Sequence, residues 1–464
     1  MAIALLFGAH RRKGLGMKKL LYGIMILTWA SVLATAALAQ EYTLSDLYQQ
    51  ALKNSEKMKM AQENLYIAQY GKDKAWAVLI PRVTAFGTYN RFSESKYGEP
   101  PTYSNVLIQP SESGNWGVRA DQSFSLSVRE LTALKVAGQT ITKNEFDLDA
   151  IKADFVLIVA SAYYDVMKAK KALEIAAANM ERLTQYRNSV EKRLKVGDVT
   201  KTALLRSEGE LSGARADYLK ATNAFQFARF ALVRITGIED EFRLKETSLP
   251  EQDNIPLTDL RSVAFDKRAD LKSYDMQAQM AQAQVKFARG AFWPSLNLFA
   301  IYSGADQYPV GQTLNRETRV AGVSLLFPFF EGGLRVAEYK EAKAKERQAK
   351  LAYDDFKKNV DIELQGAYLD LQTQKGALQF SEDQLTFAQD NYGAVVRQFD
   401  NGLSTSLDVM DANSLLLSAE KNVAEAYYNY QLAYLRVKRS NGTLLQFVIS
   451  SNQCDYSRSQ AEGV

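Results

Sequence analysis

Ala162-Tyr163-Tyr164-Asp165 recurs 205 residues later as Ala367-Tyr368-Leu369-Asp370, and each copy lies inside a long tract without proline. The same shift maps Ala172-Leu173 onto Ala377-Leu378 and Gly197 onto Gly402. It also carries Gln226, Ala228, Arg234 and Gly237 onto Gln431, Ala433, Arg439 and Gly442. Upstream the shift becomes 213, matching Leu44-x-x-Leu47 with Leu257-x-x-Leu260, Ala51 with Ala264 and Pro81 with Pro294. The first half therefore holds an insertion of eight residues between Pro81 and Gly117, in a Gly- and Ser-bearing stretch with Pro100, Pro101 and Pro110 that reads as a loop. A fixed offset held over about 120 residues marks two tandem structural repeats.

Proline placement divides each repeat. All nine prolines fall within 81–110, 250–256 and 294–328, which leaves 111–249 and 329–464 free of them. An interior proline costs a helix ~3 kcal/mol, so the empty tracts accommodate very long helices. Apolar residues recur there at three- and four-residue steps: Leu173, Ala176, Ala177, Met180, Leu183, Tyr186 and Val190, then Leu378, Leu385, Ala388, Tyr392, Val395 and Phe399. Each tract breaks once, near Gly197-Asp198 and Gly402-Leu403. A small polar residue follows each break, Thr200 and Ser404, as a helix end followed by a new N-cap requires. Each repeat thus carries a helical hairpin, over 131–235 and 333–440. The first arm, from 131 to 196, is on the order of 100 Å long. A globular core cannot cover such a helix; neighbouring helices in a bundle or tube wall must.

The proline-bearing parts read as strands, at 83–92, 115–127, 295–304 and 318–329. Two alternate: Leu296, Leu298, Ala300 and Tyr302 occupy one face, and Val323, Leu325, Phe327 and Phe329 another. Length, alternation and flanking aromatics (Phe92, Trp116, Trp293) suit a membrane β-barrel, with the edge of a soluble sheet as the plainer alternative. Four strands cannot close a barrel, and an open edge cannot face lipid. Three chains would pool twelve.

Met17-Lys18-Lys19, the apolar stretch Leu20 to Ala30 and Ala37-Leu38-Ala39 form a secretory signal pattern, so 1–39 reads as a signal peptide with an upstream start at Met1 or Met17. That segment takes five of the 57 basic residues and none of the 53 acids, leaving 52 against 53. Nucleic-acid binding loses its support with the basic excess. The single histidine, His10, leaves as well, which excludes His-based catalytic triads and His-ligated metal sites. The single cysteine, Cys454, cannot form an intramolecular disulfide. No cofactor is expected, and an enzyme would have to work through acid pairs alone. A periplasmic adaptor, the other long-hairpin class, would carry one hairpin between split β halves.

In order and spacing, several segments together resemble the outer-membrane efflux protein family, from about Tyr42 to Gly442. They are the two repeats, Ile80-Pro81-Arg82-Val83, Trp293-Pro294-Ser295-Leu296, Phe327-Pro328-Phe329-Phe330-Glu331-Gly332-Gly333, and Gly402 followed by Asp408-Val409-Met410-Asp411. The resemblance implies a mainly α homotrimer with a twelve-stranded barrel in the outer membrane and a twelve-helix periplasmic tunnel. The first repeat would span 40–237, an equatorial linker 238–254, the second repeat 255–442 and a tail 443–464. The implied role is a passive conduit docked to a periplasmic adaptor and to an inner-membrane pump of resistance-nodulation-division or ABC type, carrying drugs, metal ions or a secreted protein.

The resemblance also assigns the entrance. The hairpin tips, Gly197 and Thr200 with Gly402 and Ser404, would form it, and Asp408 and Asp411 match the family's tip aspartates. Residues three apart share a helix face, and threefold symmetry would make each aspartate a ring of carboxylates favouring cations. Read from the residues alone, both also fit acids of a helix's first turn. Three positions depart from the family pattern. Ala203 stands where relatives often carry an aspartate, and the gate-linking tyrosine and arginine fall on Phe399 and Ser404. The family's polar gate links therefore do not carry across.

Overall fold

The computed structural model describes residues 40–98, 106–239, 241–246, 256–311 and 315–448. The signal segment 1–39, most of the linker and the tail from 449 with Cys454 lie outside the described residues. The elements run β1 (Gln40–Tyr42), α1 (Leu44–Asn54), α2 (Glu56–Ala77), β2 (Arg82–Arg91), β3 (Lys96–Gly98), β4 (Val106–Gln109), β5 (Glu112–Ser125), α3 (Arg129–Val196), α4 (Lys201–Thr236) and β6 (Phe242–Leu244). The second half continues with α5 (Leu257–Lys267), α6 (Ala269–Gly290), β7 (Ser295–Tyr308), β8 (Glu317–Leu326), α7 (Leu334–Asp400) and α8 (Ser406–Ser440). The protein is mostly helical, and α3 and α7 reach 68 and 67 residues.

These helices lie side by side in one layer. In one half the neighbours run α2–α3–α6–α7, and in the other α4–α3–α8–α7. The main sheet repeats that order as β2–β5–β7–β8, antiparallel throughout, with β2 and β8 as its edges. The helix α3 is therefore flanked on both sides, whereas α7 lies at an edge along its whole length. That difference decides the fate of the repeated tetrapeptide. Tyr164 is 1% exposed in the core. Its counterpart Leu369 is 63% exposed, in a stripe on α7 with Leu351, Ile362, Phe380 and Phe387.

The register sorts the strand side chains. Leu296 faces Leu325 and Leu298 faces Val323, so the two alternating sets lie on one face, joined by Val83, Ala85, Val118 and Ala120. The opposite face carries Thr84, Asn115, Arg119, Asp121, Asn297 and Ser303. Phe327 and Phe329 lie past the end of β8, because Pro328 has no N–H for a ladder bond. Strand β5 starts three residues before the expected 115, and β7 runs four beyond the expected 304. The insertion of the first repeat forms a small hairpin of β3 and β4. No helix among the described residues is long and apolar enough to cross a membrane.

The main core sits where the short helices α1 and α5 pack on α3, α7 and α8, around Leu47, Val159, Tyr163, Tyr164, Leu364 and Leu435. A parallel pairing of β1 with β6 closes over it. Arg268, between α5 and α6, is buried; its guanidinium holds Asp270 at 2.6 Å and Glu363 at 2.8 Å and donates to the Ser440 carbonyl. Arg439 of α8 reaches the same Asp270 and, across to α3, Asp154. Burial works to raise the Asp270 carboxyl, but the hydrogen bonds and charge of Arg268, then Arg439 and the Leu271 N–H, outweigh it and hold it below the usual range. Gly442, at φ 76°, packs on this joint so closely that a Cβ would come within 2.8 Å of the Arg268 nitrogen.

Candidate functional site

The two hairpin tips are built alike and capped differently. Gly197 ends α3 at φ 86°, a conformation that L side chains rarely adopt, and Thr200 caps α4 by accepting from the Ala203 N–H at 3.3 Å. Gly402 (φ 73°) turns the second tip. There the N-cap is Thr405, not the expected Ser404. Ser404 instead donates to the Val395 carbonyl at 3.1 Å, tying the turn back onto α7.

Asp408 closes a capping box. Its carboxylate accepts from the Thr405 N–H at 2.8 Å and the Thr405 hydroxyl at 2.7 Å, while its own N–H donates to Thr405 Oγ1. Those two bonds, the backbone one foremost, hold the Asp408 carboxyl below its ordinary value. The residue is exposed, as is Asp411 one turn on.

Phe399 is buried, 5% exposed, in a small core with Leu183, Tyr186, Val190, Val409 and Met410; Ala203 packs against its rim. Here the structure brings in a residue that spacing did not flag. Arg193, one turn before Gly197, lays its guanidinium 4.9 Å from the Phe399 ring centre. It donates to the Phe399 carbonyl at 2.9 Å and to the Asp400 carbonyl and carboxylate at 3.0 and 3.1 Å. A cation thus meets the last carbonyls of α7, where the helix dipole also favours it. Further from the tip, the Tyr186 hydroxyl donates to Ser406 Oγ at 3.0 Å, Asn413 donates to Asn179 at 2.9 Å, and Arg182 grips Glu420 bidentately at 2.8 and 2.9 Å. The two hairpins of one chain are stitched together along α3. Phe399, Ser404 and Gly402 belong to one tip, Gly197, Thr200 and Ala203 to the other, and Arg193 bridges them.

A two-repeat helix layer continued by an open antiparallel sheet has close precedents. The chain matches the family described as outer membrane efflux protein over residues 47–238 and 260–443. The chain belongs to the outer membrane efflux protein family. Within it, the chain is 23% identical over 446 residues to the outer membrane protein TolC of Escherichia coli, covering 92% of this chain and 87% of that protein. It is 23% identical over 385 residues to the pyoverdine export outer membrane protein OpmQ of Pseudomonas aeruginosa, covering 81% and 80%. In fold it resembles the outer membrane protein VceC of Vibrio cholerae, with a TM-score of 0.75 at 18% identity over 86% of this chain and 96% of that one. Family and fold are those of an outer-membrane channel.

Proposed function

We propose that this chain is one third of a closed homotrimer, a twelve-stranded barrel in outer-membrane lipid continued by a twelve-helix periplasmic tunnel, which conducts cargo passively. The observation that carries this reading is that the seam between the two repeats is a template for a seam between copies. The 205-residue shift turns α3 into α7 and α4 into α8. The packing of α3 on α8 then corresponds to packing of α7 on α4 of a neighbouring copy, and β5 beside β7 to β8 beside β2.

The exposed side chains fit that correspondence. Phe230 on α4 is 61% exposed, but its repeat partner Leu435 on α8 is 0%. Leu205 and Phe227 are exposed where Met410 and Leu432 are buried. On α7 an open groove of about 490 Å³ is lined by Phe380, Gln384, Phe387 and Asn391. Their partners on α3 are Ile175, Asn179, Arg182 and Tyr186, the last three of which bond to α8. An apolar outer face of the sheet and a polar inner one complete the barrel reading.

The hairpin tips form the periplasmic entrance in this reading, with Gly197, Thr200, Gly402 and Ser404 at its rim and Asp408 and Asp411 as carboxylate rings. Phe399 and Ala203 replace the family's polar gate links, and Arg193 holds each chain's tips together instead. The exposed Val196 and Leu403 at the tips suit docking to a periplasmic adaptor, which couples the channel to an inner-membrane pump. Relatives are named for pyoverdine export and for alkaline protease secretion, so the conduit belongs to a tripartite efflux or a type I secretion system.

Native mass spectrometry of the detergent-extracted protein is expected to give a trimer, with single-channel currents in planar bilayers. A monomer soluble without detergent overturns the reading. Changing Asp408→Asn together with Asp411→Asn is expected to weaken cation preference in those currents, and an unaltered preference returns both to a purely helix-capping role.

A further inference from the structure

The polar face of the sheet carries few large apolar side chains. Among the described residues of the main sheet these are Phe86 on β2, Phe299 and Ile301 on β7, and Val320 and, at the strand's last position, Leu326 on β8. The two phenylalanines are related by the 213-residue shift, and each lies over a glycine of the adjoining strand. A Cβ at Gly117 would come within 2.8 Å of Phe86 Cζ, and one at Gly322 within 2.5 Å of Phe299 Cζ. Gly117 and Gly322 are themselves related by the 205-residue shift. The same aromatic-on-glycine pair is thus built twice in one chain. Without a side chain beneath it, each ring can lie along the sheet and present its outer π-face away from it. Phe86 is 41% exposed. Beside them Arg119 lies 5.8 Å from the Phe299 ring centre and is neutralised by Asp121, both of whose carboxylate oxygens are 2.8 Å from its Nε.

We propose that Phe86 and Phe299 form an aromatic girdle around the barrel lumen that stacks on passing cargo, so that the conduit favours organic molecules carrying aromatic rings. This rests on the barrel reading above, in which the polar face lines the lumen. Repeat symmetry puts both rings at one height, so closure sets them in a single circle. The neutralised Arg119–Asp121 pair leaves that level without a net charge of its own, and π-faces discriminate by stacking instead.

The test uses two cations of equal charge, tetraphenylphosphonium and tetrabutylammonium, added on the loop side of single trimers in a planar bilayer. Tetraphenylphosphonium is expected to block more strongly, and Phe86→Leu with Phe299→Leu to weaken its block roughly tenfold while leaving the aliphatic ion's block unchanged. Phe299→Trp, which retains an aromatic face, is expected to keep the preference. Equal block of the wild-type channel by the two ions overturns the girdle, as does a preference that survives the double leucine variant. The wild-type comparison decides the matter even if the leucine variant fails to assemble. Loss of the barrel reading is distinguishable: it gives no wild-type currents at all, and the girdle falls with it.

Discussion

In the proposed entrance, the Asp408 carboxylate meets a second demand beside capping its helix. Its capping box is local chemistry that any helix start can use, and the same bonds keep it charged in acid. A depressed carboxyl retains its charge as pH falls through the ordinary value near ~3.9 and loses it only below. Thr405→Ala is therefore expected to raise the pH at which acid abolishes cation preference, and to speed amide exchange at residues 406–409. An unmoved midpoint would detach Asp408 from the preference. Asp270 obeys the same sign in a buried setting: its contribution is complete above ~3.9 and fades as pH falls through its depressed value. Asp270→Asn should cost on the order of 3 kcal/mol at neutral pH in denaturant unfolding, with the gap to wild type closing in strong acid. Residues of this kind were only half legible in the sequence. Glycine-plus-polar spacing located both tips but set the cap of α8 one residue early, at Ser404, although the 205-residue shift carries Thr200 onto Thr405. Arg193 was invisible, because its partners are carbonyls 206 and 207 positions away.

At the scale of elements, long helices and strands followed from where proline is absent and where alternation has period two. Strand ends did not, since pairing partners and not local sequence determine how far a ladder runs. The small β3–β4 hairpin was read as a loop because its strands are only three and four residues long. Between β5 and α3 lies Val128 at φ 58°, a left-handed conformation that costs a β-branched residue ~1–2 kcal/mol. Val128→Gly is expected to raise thermal stability by about 1 kcal/mol, and an unchanged melting temperature would mean that the glycine's unfolded-state entropy offsets the relieved strain. Gly442→Ala, by contrast, meets the Arg268 backbone and should destabilise the joint around Arg268, read as faster amide exchange around residues 437–444.

For the whole molecule, the repeat offset carried the most information, because it predicts a contact that no single chain contains. Arg182 and Glu420 correspond to Phe387 and Arg215, so the guanidinium of Arg215 should lie against Phe387 of a neighbouring copy. In a Cys454→Ser background, Phe387→Cys with Arg215→Cys is expected to yield disulfide-linked trimers on denaturing gels, whereas either change alone should not. The edges themselves have one more effect. A contact between unlike surfaces either closes into a ring or runs on as a filament, and the turn made by each repeat decides which. Because a chain carries two repeats and ends on complementary edges, a ring with half a chain missing would leave one edge unmatched. In the proposed ring, an altered curvature changes the barrel's circumference only by adding or removing a full chain's four strands. The pore of such a ring is therefore quantised, and gradual drift in repeat geometry has no intermediate width to occupy.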